Sequence, residues 1–104
     1  MMDKTIEGVE KLADEELKMA NEQYPLFASD HEGAAVLLEE IEEAEDEMDH
    51  MKYFYDLLWL DVKANRKVDK YDFIKENAIK CACECIQVAA MCQKMRMSEE
   101  KRNA

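Results

Sequence analysis

Glycine and proline are nearly absent: Gly8, Gly33 and Pro25 are the only ones in 104 residues. Without the residues that set tight turns and interrupt periodic structure, a fold of many short strands is excluded and long helices are favoured. No apolar stretch approaches the roughly 18 residues that a membrane span requires. The opening Met1-Met2-Asp3-Lys4 lacks a basic region followed by an apolar run, so no export signal is read there and a cytoplasmic location is expected. Positive charge is also scarce. Fourteen lysines and arginines face 25 acids, giving a formal net charge of −11, which argues against an electrostatic footprint for nucleic acid or anionic lipid.

What remains is 48% hydrophobic and 38% charged, the mixture of amphipathic helices, and the length suits one all-α domain over residues 1–104. From about Thr5 to Gln23, Ile6, Val9, Leu12, Ala13, Leu17 and Ala20 recur at helical spacing and predict a first helix over 5–23. Pro25 disfavours helix at Tyr24 and opens a connection in which Leu26, Phe27 and Ala28 fold back as a hydrophobic plug. Ser29 followed by Glu32 fits a capping box, so a second helix starts near Asp30 and runs to about residue 65, where Asn65 is a stop signal. The third helix is expected over 69–97, with Asp69 as a candidate cap, and 98–104 reads as a polar tail that frays. The stretch Met51 to Leu60 is apolar nearly all the way round, and one neighbouring helix would leave much of it wet. An antiparallel bundle with long second and third helices, completed by oligomerisation, is therefore expected.

Two groups of polar residues interrupt this pattern. Glu40 and Glu43 lie three apart on one face of the second helix, with Glu39 beside them. An acid run on a helix is usually a solvated face. On the third helix, however, Glu84 and Gln87 form a second pair three apart among Cys85, Ile86, Val88 and Ala89, where polar groups need a reason. In an antiparallel hairpin, residues at one level share a midpoint. Glu43 with Glu84, and Glu40 with Gln87, both centre between Lys63 and Ala64, in or beside the expected break. Three carboxylates and an amide oxygen facing inward would suit Mg²⁺, a hard cation that takes oxygen ligands and keeps part of its water shell.

Glu39-Glu40-x-x-Glu43 followed by Glu84-x-x-Gln87 resembles the metal signature of the MazG-like all-α nucleoside triphosphate pyrophosphohydrolases, Glu-Glu-x-x-Glu then Glu-x-x-Asp. The surroundings, from Phe27-Ala28-Ser29-x-His31-Glu32-Gly33 to Ile86-Gln87-Val88-Ala89-Ala90-Met91, are similar to small bacterial and phage MazG-like proteins, and the likeness covers about residues 20 to 95. The resemblance implies a helical bundle that forms a homodimer or homotetramer. It also implies Mg²⁺-dependent hydrolysis, with Mn²⁺ as a substitute, of a nucleotide to monophosphate and pyrophosphate. Carried over by position, Glu40, Glu43 and Glu84 bind metal, and Glu39 binds metal or orients the attacking water. Gln87 stands where the family has aspartate, keeping an oxygen donor and losing a charge, and the forty residues between Glu43 and Glu84 exceed the family's usual gap. A non-catalytic MazG-like module that binds a nucleotide or a partner protein is the alternative.

Lys80 lies one turn before Glu84 on the same stripe and reads equally as a phosphate contact or as a solvated lysine. Glu47-x-x-His50 matches one half of a di-iron helical site, but no second copy exists, so His50 reads as a surface or interface residue. Cys81, Cys83, Cys85 and Cys92 sit on one helix, too close along it to pair with one another, and are expected as reduced, buried thiols. Cys81, Cys85 and Cys92 share a face that could hold zinc if a partner chain added ligands, although small core packing is the commoner role.

Overall fold

The computed structural model describes residues 2–104, which form three helices and no strand among the described residues. These are α1 (Met2–Gln23), α2 (Asp30–Lys63) and α3 (Tyr71–Asn103). The chain is an all-α bundle in which α3 is the central element, with α2 packed antiparallel along it and α1 against its later half. Because α1 does not reach along the whole hairpin, the molecule is elongated, 63 × 30 × 21 Å. Its radius of gyration of 17.9 Å compares with roughly 13 Å for a compact domain of this size.

The expected start of α2 is present: Ser29 is extended (φ −153°) and its Oγ accepts the Glu32 N–H at 3.1 Å, satisfying one of the free donors of the first turn. At the other end, Asn65 takes a positive φ of 55°, the left-handed geometry that commonly closes a helix and that asparagine tolerates better than most residues. Asp61 then organises the turn. Its backbone oxygen accepts the Arg66 N–H, and its carboxylate meets Arg66 Nε at 3.0 Å and Lys70 Nζ at 3.5 Å. Asp69 is not the cap of α3. That position is Lys70, which makes no side-chain cap bond, and Asp69 instead pairs with the Lys70 ammonium at 2.7 Å.

The core is small and sits where all three helices and the connecting loop meet. Phe27, Ala90 and Met91 are its buried members, with Leu17, Ala20, Val36, Leu37 and Met95 packed around them. Phe27 is thus the plug the sequence indicates, while Ala28 stays exposed. Gly33 is buried where α2 passes this cluster: a Cβ there would come within 2.9 Å of Met95 Cγ.

The tail departs from expectation. Residues 98–103 are helical, because Ser98 and Arg102 clasp the loop before α2. Ser98 Oγ accepts the Phe27 N–H at 2.8 Å and donates to Lys94 O at 2.7 Å, while Arg102 donates to Phe27 O and to Asp30 Oδ1. Both backbone groups of the buried plug are satisfied by α3 side chains, so fraying this end would orphan them. The cysteines also differ from expectation. All four are free, but only Cys81 is buried, its thiol donating to Ala44 O at 3.5 Å, whereas Cys83, Cys85 and Cys92 are exposed. Burial, reinforced by Cys85, pushes the Cys81 thiol pKa up, which disfavours the nucleophilic thiolate.

Candidate metal centre

The hairpin brings Glu43 level with Glu84, as the midpoint argument requires. The pairing runs on through Glu47 with Asn77, joined by a 2.9 Å hydrogen bond, to Phe54 and Phe73, whose rings stack at 4.9 Å. One carboxylate oxygen from each of Glu40, Glu43 and Glu84 lies within 4.8 Å of the others. Glu40 and Glu84 are half-buried and Glu43 is exposed.

Three like charges at this separation repel, and the electrostatics show it. Burial raises the Glu84 pKa first, followed by the nearby Glu43, which accepts a hydrogen bond from the protonated form, and by the fields of Glu43, Glu40 and Glu47. Glu40 is also raised, by burial and then by Glu43, Glu39 and Glu16. An all-oxygen donor set in which Glu40 and Glu84 are pushed toward protonation is one that a divalent cation would relieve, so the residues fit Mg²⁺ or Mn²⁺ in donor type and convergence.

Beside the acids lies a cleft of about 630 Å³ between α1, the loop 24–29, α2 and α3, within the range of small-molecule sites. Glu16, Glu39, Glu40 and Gln87 line it toward the acids, and Met19, Tyr24, Phe27, Val36 and Met91 give it an apolar wall. Glu39 is exposed on this cleft and is not one of the three converging carboxylates. Gln87 also faces the cleft, and its Nε2 donates to Glu16 Oε1 at 2.6 Å. Lys80 is elsewhere: it is exposed, paired with Glu76 at 3.3 Å, and does not line the cleft.

Two charged residues of the cleft, Glu16 and Lys94, were not singled out from the sequence. Glu16 flanks the packed face of α1 defined by Ala13, Leu17 and Ala20, yet no spacing sets it apart from neighbouring Asp14 and Glu15. Lys94 is 3% exposed and stands seven residues after Gln87, which places it on the same stripe of α3. That spacing is visible in the chain, but it applies equally to Lys80 on the other side.

The chain matches no family model, no curated protein and no solved structure. The site therefore rests on its own geometry and on the motif residues. No helix among the described residues is long and apolar enough to cross a membrane.

Proposed function

We propose that this chain is a MazG-like nucleoside triphosphate pyrophosphohydrolase that uses Mg²⁺ or Mn²⁺. The observation that carries the reading is the convergence of Glu40, Glu43 and Glu84, from two helices, at the edge of a nucleotide-sized cleft. A bound cation would supply neutralisation of the phosphate charge and a more acidic water. In this reading the apolar wall around Met19 and Phe27 receives the base and sugar, and the phosphates lie toward the acids. Glu39, exposed on the cleft, orients a water and accepts its proton as the water oxygen bonds to the α-phosphorus. The bond from that phosphorus to its bridging oxygen breaks, and pyrophosphate departs. The reading also includes a homodimer or homotetramer. Tyr53, Tyr55, Trp59, Leu60, Phe73 and Ile79 are all exposed on the half of the hairpin that α1 leaves uncovered, and a second copy would bury them.

The experiment is pyrophosphate release from a panel of canonical and modified nucleotides with Mg²⁺ and Mn²⁺. Turnover that disappears in Glu40→Gln, with the fold intact, is the expected result, and no turnover by a folded wild-type protein rejects the enzyme. One observation favours the second reading, a non-catalytic module. The amide of Gln87 is engaged by Glu16 and brings no charge to the fourth ligand position, which weakens cation binding. Cation-dependent nucleotide binding without turnover would select that reading.

A further inference from the structure

Lys94 is the one residue of the cleft whose surroundings do not account for it. The residue is only 3% exposed, yet its ammonium has no ion pair and no hydrogen bond among the described residues. It does lie over the ring of Phe27, 5.0 Å from Nζ to its centroid. A ring face returns only part of what desolvating an ammonium loses. Nor is the nitrogen sealed in the core: Lys94 lines the cleft, and Nζ is not among the fully enclosed, unpartnered polar atoms. The carboxylates that share the cleft, Glu16, Glu32, Glu39 and Glu40, form no ion pair with Lys94. An accessible cation left unpaired against an apolar wall is preorganised for an anion.

Its place along α3 defines which anion. Lys94 follows Gln87 by seven residues, two turns or roughly 10 Å, on nearly the same face. The cleft therefore has converging carboxylates at one end and an unpaired ammonium further along. A single small anion cannot meet both features, whereas a chain of linked phosphates can, with a cation between it and the acids.

We propose that Lys94 is the anion-binding group of the cleft, holding one phosphate of a polyphosphate whose remaining charge faces a cation at Glu40, Glu43 and Glu84. The inference rests on the cation reading above and adds the residue that fixes the ligand's orientation. Two sources share this chemistry, a nucleoside triphosphate and inorganic polyphosphate. The Phe27 and Met19 wall favours the first, because it offers a base an apolar surface that an inorganic chain cannot use.

The test is calorimetric titration of wild type, Lys94→Met and Lys94→Arg with inorganic tripolyphosphate and with an α,β-methylene nucleoside triphosphate, in Mg²⁺ and without metal. Mn²⁺ binding is measured separately. Lys94→Met keeps the length and packing of the stem and removes the charge. Affinity for both probes should fall tenfold or more in this variant and be largely retained in Lys94→Arg, with Mn²⁺ binding unchanged. The melting temperature of Lys94→Met should hold, because the buried stem is kept and the ammonium, open to the cleft, has no ion pair to lose. A structural lysine would give the opposite: lower melting temperature with phosphate affinity intact, which overturns the proposal. Should Lys94→Met not fold, Lys94→Gln carries the same comparison. Mn²⁺ binding with phosphate affinity indifferent to Lys94 rejects the lysine and leaves the cation site standing. No Mn²⁺ binding, with metal-free tripolyphosphate affinity still lost in Lys94→Met, rejects the cation site and leaves the lysine.

Discussion

Gln87 Nε2 donates to Glu16 Oε1 at 2.6 Å, and this bond ties α1 to the acidic face of α3. It also gives the glutamine a purpose that aspartate could not serve, since a carboxylate has no donor for Glu16. A hydrogen bond to a charged group contributes about 1.5–3 kcal/mol, and partial exposure of both partners favours the low end. Gln87→Asp should therefore destabilise the metal-free protein by about 1–2 kcal/mol and raise its Mg²⁺ affinity, with saturating Mg²⁺ closing the stability gap. Paired thermal melts and metal titrations check this. Unchanged Mg²⁺ affinity would place residue 87 outside the cation's reach.

The raised Glu40 and Glu84 set a pH dependence. The folded protein keeps protons at these sites that the unfolded chain has released, so stability falls with rising pH between the ordinary glutamate value, about 4.3, and the raised folded values. The contribution is fully present below that window and lost above it. Melting temperature measured from acid to neutral pH should decline more in the wild type than in Glu84→Gln. Added Mn²⁺ should raise it at neutral pH and do little at acid pH, where protons occupy the site. Equal profiles for the two proteins would remove Glu84 from the cluster.

Ser98 tests the clasp on the plug. Ser98→Ala leaves the buried Phe27 N–H without its acceptor, a loss of about 1–3 kcal/mol. Arg102→Ala should cost less, because part of its role is an exposed pair with Asp30, and such pairs are worth about 0–1 kcal/mol. Denaturant midpoints order the two. Faster hydrogen exchange at the Phe27 amide in Ser98→Ala locates the effect, and no change there would mean the loop is held by packing alone.

The two glycines should respond in opposite ways to alanine. Nothing lies within 4 Å of a Cβ on Gly8, so Gly8→Ala gains helix propensity, up to about 1 kcal/mol. At Gly33 the new methyl meets Met95 and, at 3.1 Å, Phe27, and overpacking of about 1–3 kcal/mol offsets that gain. Urea denaturation should show Gly8→Ala stabilised and Gly33→Ala neutral or destabilised. A stabilised Gly33→Ala would mean that Met95 swings aside freely.

The features legible in the chain are those that local rules govern. Ser29 caps, Asn65 stops, and Glu43 meets Glu84, because capping chemistry, the helical repeat and the midpoint of a short-turned hairpin need no knowledge of distant packing. Tertiary structure decided what depends on a third element. Ser98 and Arg102 read as a solvated tail by composition, and only the loop that folds back over them, some seventy residues away in sequence, gives them partners. Lys80 and Lys94 make the same point at the candidate site. Each stands seven residues from Gln87, on one stripe of α3, so helical arithmetic cannot choose between them. The choice was made by α1 and the Tyr24–Ser29 loop, which pack over the later half of α3. They wall in Lys94 and leave Lys80 in water beside Glu76.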